Sequence, residues 1–377
     1  MKPLENLIVL DFSQFLSAPS AALRLADLGA NVIKIERPET GDICRTLYIS
    51  NCKIDGDSSL FHAINRNKDG ITLDLKDINS KTILEKLIQK ADIMILNFRP
   101  GVSQKLGIDY EHVLTLNPSI IYGEITGYGY TGPWKDLPGQ DLLVQSLSGL
   151  TWLNGNQDQS PLPFGLSIAD MCAGQHLVQG ILSALIQREK TKEPSYVQAN
   201  LLESLLDIQF EVFTTYLNNG YQTPKRSKIN NANAYIDAPY GIYETADGYL
   251  ALAMVSIPYL GTLIGCTKLT NYIDSTKLSE QRDEIKQILA DYLKNNTTKH
   301  WLSILEPADI WCADVYTWDK LLSSEGFQSL NMIQTVKRKN GTKLLTTRCP
   351  ITIDGQYFIS EKAAPDLGQN NHDYLDL

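Results

Sequence analysis

The first forty residues constrain the fold more than any other stretch. Leu7 to Phe12 reads as an apolar strand carrying a single acid, Asp11. Pro19 stands where it suits a first helical turn, and Ala21, Leu23, Leu25 and Leu28 supply the apolar positions of a helix that Gly29 can end. Val32 to Ile35 is the next apolar strand, closing at Glu36, Arg37 and Pro38. Strand, helix and strand at this spacing form a crossover, which joins parallel neighbours in one sheet. The pattern recurs. Lys81 to Lys90 is an amphipathic helix ahead of a strand at Ile93 to Leu96, and Tyr110 to Leu116 is a short helix ahead of Ile120 to Ile125. A long helix from about Asp170 to Gln187 precedes a strand at Tyr196 to Ala199, and a further long helix is expected to about Leu217. The first half is therefore α/β, a doubly wound, Rossmann-like parallel sheet.

Composition changes near residue 218, where NNGYQTPKRSKINNANAY is polar and rich in turn formers. A hairpin follows, Gly241 to Glu244 and Tyr249 to Met254 around Ala246-Asp247-Gly248, then helices at Glu280 to Leu293 and Thr298 to Leu305. TKLLTTRCPITIDG returns to strand-like alternation. The 377 residues are thus expected to form a large domain over 1–217, a linker and small α+β domain over 218–330, and a segment over 331–377 that returns to the large domain. Residues 248–267 carry no charge, but Pro258 and three glycines favour a strand, a turn and a short helix over a membrane span. The opening MKPLENLIVLDF has acids around its apolar run and reads as a strand, not a signal peptide.

A net charge of −9 argues against nucleic acid as a partner, since such binding relies on a basic surface. The six cysteines (Cys44, Cys52, Cys172, Cys266, Cys312 and Cys349) are scattered without a CxxC pair, the pattern of reduced cytoplasmic thiols. The five histidines show no metal-ligand spacing, so no metal is expected. Glu36 sits where a dinucleotide-binding fold holds a ribose, yet the turn DFSQFLSAP lacks the glycines that a pyrophosphate requires, so NAD is not expected. GYGYTG, at Gly127 to Gly132, reads as a loop shaped for close backbone approach.

Asp170 falls where an apolar helix begins, followed by the small residues Ala173 and Gly174. By residue chemistry alone it reads first as an N-cap and second as a nucleophilic carboxylate with room for a substrate. Basic residues gather at strand ends: Arg37, Lys68, Lys76, Arg99 and Lys105. Ligands of a doubly wound sheet sit beyond those ends, so this group reads either as a site for an anion or as a solvated rim.

Together, LIVLDFSQFLSAPSAALRLADLGANVIKIERPETGD, NRNKDGITLDLKD, ADIMILNFRPGVSQKLGIDYEHV, GYGYTGPWKDLPGQD, SIADMCAG and DLGQNNHDYL resemble the family III CoA-transferases, in consistent order over most of the first 205 residues. The resemblance implies that CoA passes from an acyl-CoA to a free carboxylic acid. Asp170 would attack the thioester to give a mixed anhydride, and an aspartyl-CoA thioester would follow. Ser17, Arg37, Leu73, Lys76, Asn97, Phe98, Arg99 and Lys105 would line the CoA site. Leu16, Gln140 and Asp141 would face the substrate. A carboxylate at a helix N-terminus is expected to stay ionised. The resemblance also implies an interlocked homodimer, each chain a ring threaded through the other.

The sequence departs from the family's pattern at telling positions. Racemases of the family use a histidine where Gln140 stands, and glutamine cannot shuttle a proton. Formyl-CoA transferases carry a glycine run in the small domain that ALAMVSIPYLG lacks, and a glutamine at the position of Leu16. The reading is therefore a cytoplasmic CoA-transferase. The alternatives are a racemase-type isomerase and an acyl-CoA-binding protein without turnover.

Overall fold

Six parallel strands organise the first part of the computed structural model, which describes residues 2–47 and 51–375. They are β1 (Ile8–Asp11), β2 (Asn31–Glu36), β3 (Asp69–Thr72), β4 (Ile93–Leu96), β5 (Ile121–Thr126) and β6 (Ser195–Asn200). Their order is β3-β2-β1-β4-β5-β6, with Val9 opposite both Val32 and Ile93. The chain starts mid-sheet, winds outward to β3, then returns to β4 on the other side of β1. That reversal makes the carboxyl ends of β1 and β4 the switch point, where adjacent crossovers diverge and leave a crevice.

One face of the sheet packs Leu10, Ile33, Ile35, Ile71, Met94 and Tyr122 against α3 (Ile78–Lys90) and α5 (Tyr110–Leu116). Each large side chain buried this way contributes about 1.5–3 kcal/mol. The other face carries α1 (Ser17–Asp27) and α7 (Ile168–Thr191), which pack on each other. Gly174 permits this, since a Cβ there would stand 2.7 Å from the Ser17 carbonyl and 2.4 Å from Ser20 Oγ.

The helix expected after β6 is broken. α8 (Leu201–Asp207) ends, and α9 (Phe210–Asn218) starts afresh after Ile208 and Gln209, whose ψ angles of −13° and 8° leave the helical range. No proline or glycine marks the break, so apolar periodicity runs straight through it. The chain divides at the same place into two units: Met1–Val144, Ser167–Ile208 and Ser329–Leu377, and Gln145–Leu166 with Gln209–Gln328. The polar stretch near residue 218 therefore lies within the second unit.

In the first unit, β10 (Ile333–Lys337) and β11 (Lys343–Thr347) form a hairpin after the return, and residues 366–374 run along the open edge of β3. There Asn370 donates its amide to the Gly70 carbonyl at 2.8 Å, and the side chains of Asn370 and Asn371 accept from the amides of Gly70 and Thr72. The second unit holds a three-stranded antiparallel sheet: β7 (Gly241–Glu244), β8 (Tyr249–Leu252) and β9 (Cys312–Asp314) in the order β9-β8-β7. β9, three residues long, is a strand that the sequence pattern does not announce. Tyr243, Leu250, Leu260, Ile285, Leu289 and Trp301 form the core of this unit. Residues 248–267 are largely β8, a turn and the helix Ile257–Ile264, and no helix among the described residues is long and apolar enough to cross a membrane.

A charged network lies beneath the carboxyl ends of β1 and β2. Lys68 donates to Asp11 at 2.8 Å, Lys34 pairs with Asp42 at 2.9 Å, and Arg45 grips Glu36 through both carboxylate oxygens at 2.7 and 2.8 Å. Lys68, read from sequence as one of the strand-end cations, is fully buried. Burial alone would raise the Asp11 carboxyl, but Lys68 and Lys34 bring it below its ordinary value. Its stabilisation is therefore whole above the ordinary carboxylate range and is lost as pH falls. Lys68→Met leaves Asp11 buried without its main partner. We expect it to cost about 3–5 kcal/mol in a urea titration at pH 7, and less at low pH, where Asp11 is protonated.

Candidate active site

The loop from Asp11 to Ser17 spans the switch point and is held at every step. The Asp11 carboxylate accepts from the amide and the hydroxyl of Ser13, and the Ser13 carbonyl accepts from Lys34 at 2.9 Å. Asn97, the first residue after β4, accepts from the Gln14 amide and donates to the Gln14 carbonyl, both at 2.8 Å. Phe15 donates its amide to Asp42 at 3.3 Å and takes φ = 63°, the left-handed region that a bulky residue rarely enters. It is about half exposed. Leu16 turns the other way, against Cys44, Phe61, Ile64 and Ala364. Ser17, buried, starts α1.

The second half of the site is assembled by two glycines. A Cβ on Gly127, at the end of β5, would stand 2.7 Å from the Gly139 Cα, so the two backbones touch. The expected close approach of the GYGYTG loop is thus made to the chain's own backbone, and it fixes the residues that follow. Gln140 is exposed and its side chain accepts from the Leu142 amide at 3.1 Å, inside the first turn of α6 (Asp141–Leu147). Asp141 is buried, and its carboxylate accepts from the amides of Ala169 at 2.8 Å and Asp170 at 3.4 Å.

Asp170 is consequently not the cap of α7. It is the third helical residue, Ser167 occupies the N-cap without a side-chain bond, and Asp141 supplies the capping oxygen from a different element. Burial, and secondarily the charge of Asp141, push the Asp170 pKa up to about 7. The expectation that the helix terminus keeps this acid fully ionised is corrected here: burial and then the like charge of Asp141 raise its proton affinity.

Beyond the strand ends lies a cavity of about 620 Å³. Of the eight residues expected around CoA, Arg37, Leu73, Lys76 and Phe98 line it. Arg99 and Lys105 are exposed on the segment and helix (α4, Val102–Leu106) that contribute Phe98, Val102 and Leu106 to its wall. Asn97 and Ser17 are not on its wall, but Asn97 holds Gln14, which is. Glu36, at the spacing of a ribose acid, is taken up by Arg45. Sequence reasoning missed Gln14, Asp42 and Thr40, and it missed the clamp function of Asn97. Only contacts far apart in the chain reveal these, and no local spacing signals them.

Asp141→Asn removes the neighbouring charge while keeping a capping oxygen. We expect the Asp170 titration to fall below its value of about 7, read as the carboxylate infrared band in wild type minus Asp170→Asn and in the Asp141→Asn background.

Comparison with known proteins is consistent along the whole chain. Residues 4–371 match CoA-transferase family III. The chain is 29% identical to a succinate–glutarate CoA-transferase of Agrobacterium fabrum, covering 99% of this chain and 95% of that one. It is 32% identical to the succinyl-CoA:glutarate CoA-transferase of Mus musculus over 82% of this chain and 71% of the other. With a formyl-CoA:oxalate CoA-transferase of Escherichia coli O6:H1 it shares 29% identity, over 98% and 94% of the two chains. A solved CAIB/BAIF family protein from Brucella suis superposes with a TM-score of 0.85 at 29% identity, over 99% of this chain and 98% of that one.

Proposed function

The chain belongs to CoA-transferase family III, and we propose that it moves CoA from an acyl-CoA to a free carboxylic acid through covalent intermediates on Asp170. The observation that carries this reading is the setting of Asp170, which lies in the first turn of α7 with its amide bonded by the Asp141 carboxylate, buried, and with a proton affinity raised to near neutrality. A carboxylate that binds a proton more tightly than usual is also the better nucleophile once ionised.

An Asp170 oxygen adds to the thioester carbonyl carbon, the C–S bond breaks, and CoA departs as thiolate, leaving a mixed anhydride. The thiolate then adds to Cγ of Asp170 and expels the donor acid as carboxylate, which gives the aspartyl-CoA thioester. The acceptor carboxylate repeats the sequence in reverse, and Asp170 is regenerated. No net proton is consumed, which suits an exchange between two carboxylates. Arg37 and Lys76, on the wall of the cavity, and the neighbouring Arg99 and Lys105 would meet the phosphates of CoA. A homodimer of interlocked chains and a cytoplasmic setting are part of the same reading, supported by the family resemblance. Two-base isomerisation finds no second base at Gln140, whose amide is engaged with α6.

The test is intact-protein mass spectrometry after incubation with succinyl-, glutaryl-, formyl- and acetyl-CoA, followed by hydroxylamine. Wild type should gain an adduct that maps to Asp170, with a rate that rises with pH through about 7 because the ionised form attacks. Asp170→Ala should gain none and lose exchange by about a thousand-fold or more. A wild type that binds CoA yet stays unmodified with every donor would overturn the reading. Arg37→Ala and Lys76→Ala should each raise KM for acyl-CoA by about ten-fold, with kcat little changed and the salt dependence of KM reduced.

A further inference from the structure

The resemblance assigns Asn97 to the lining of the CoA site, yet its side chain is spent on the protein's own backbone. Its Oδ1 accepts from the Gln14 amide and its Nδ2 donates to the Gln14 carbonyl, both at 2.8 Å. A backbone amide only donates and a carbonyl only accepts, so this pair of bonds also settles which end of the Asn97 amide is which. Both bonds reach one residue, and together they set the orientation of Gln14 about its Cα. The neighbours are anchored elsewhere, Ser13 by Asp11 and Lys34 and Phe15 by Asp42. Among the described residues, Asn97 alone bonds the backbone of Gln14.

Gln14 lines the cavity of about 620 Å³ beyond the strand ends, and Asn97 does not. The side-chain amide of Gln14 makes no hydrogen bond to any described residue, so its donors and its acceptor are available to a ligand. Three residues further on, the Ser17 carbonyl lies so close to Gly174, one turn beyond Asp170, that a Cβ there would stand 2.7 Å from it. The loop that carries Gln14 therefore leads from the cavity to the helix that bears Asp170. A CoA thioester has to run the same way, with its phosphates at Arg37 and Lys76 and its sulfur toward Asp170. The stretch in between is the pantetheine arm, a chain of neutral amides whose donors and acceptors match those of a glutamine.

We propose that Gln14 is a further CoA-binding residue, its side-chain amide hydrogen-bonded to the pantetheine arm, and that Asn97 is a positioning residue that acts through it. This rests on the reading of the cavity as the CoA site.

The experiment is a double-mutant cycle on the affinity of the full chain for free CoA, measured by calorimetric titration in wild type, Gln14→Ala, Asn97→Ala and the pair. Gln14→Ala keeps the clamped backbone and should weaken CoA binding by about five-fold. Asn97→Ala should cost about as much in the wild-type background, but less than about two-fold once Gln14 has been truncated. Neither variant should change the salt dependence of the affinity, because the lost contact joins neutral groups, whereas Arg37→Ala should reduce it. Hydrogen exchange at the Gln14 amide should quicken in Asn97→Ala and stay at the wild-type rate in Gln14→Ala. Losses that add in full would overturn the positioning role and put Asn97 itself against CoA. An unchanged affinity in Gln14→Ala would overturn the proposal outright, and that result does not depend on how well Asn97→Ala folds. CoA binding that survives Arg37→Ala and Lys76→Ala together sinks the cavity reading, and the proposal falls with it. Free CoA brings no acyl group, so failure of the nucleophile reading, seen as exchange surviving in Asp170→Ala, leaves the cycle intact.

Discussion

Three buried ion pairs, Asp11–Lys68, Lys34–Asp42 and Glu36–Arg45, support everything at the switch point. Such charges are costly to desolvate, so each must find its partner and its remaining hydrogen bonds in one arrangement. The segments they connect are the end of β1, the residue before β3, the end of β2 and the turn that follows it. Lys68 also donates to the Pro19 carbonyl in the first turn of α1. From this base the loop from Ser13 to Ser17 leaves the sheet with little freedom, and Asn97 closes it from β4. The network thus converts the carboxyl end of a central parallel strand into a defined start for α1.

Two carboxylates then meet at the start of α7 with different duties. Asp141 spends its lone pairs on helix amides that would otherwise be unpaired. Asp170, the third residue of the helix, is left with no capping duty. Capping from another element therefore frees the in-sequence acid for chemistry, and the capping charge at the same time raises that acid's proton affinity. Structure and reactivity share one contact.

Much of the first unit was legible in the sequence because apolar periodicity, Pro19 and Gly29 all act over a few residues. The strands of the sheet apart from β3, and the helices α1, α3, α5 and α7, follow from such local signals. Asp170 was legible as a position but not as an environment. The N-cap preference is a local statistic, and the oxygen that satisfies α7 comes from Asp141, far back in the chain. Lys68 and Glu36 looked available to a ligand for the same reason, since their partners Asp11 and Arg45 lie in other elements. The break between α8 and α9 left no trace because Ile208 and Gln209 are ordinary helix residues. Strand order itself, and hence the crevice, depends on pairings that no spacing encodes.

The segment over residues 366–374 has a consequence for how the chain is made. β3 is an outer strand of a parallel sheet, and the amides of Gly70 and Thr72 are covered by Asn370 and Asn371, some three hundred positions later. While the ribosome is still translating the second unit, that row of donors has no native partner, and a neighbouring nascent chain can pair with it. The interval between synthesis of β3 and arrival of its cover takes in the second unit and most of the first. Stalls or truncations within that interval leave the amides of Gly70 and Thr72 without the side chains of Asn370 and Asn371.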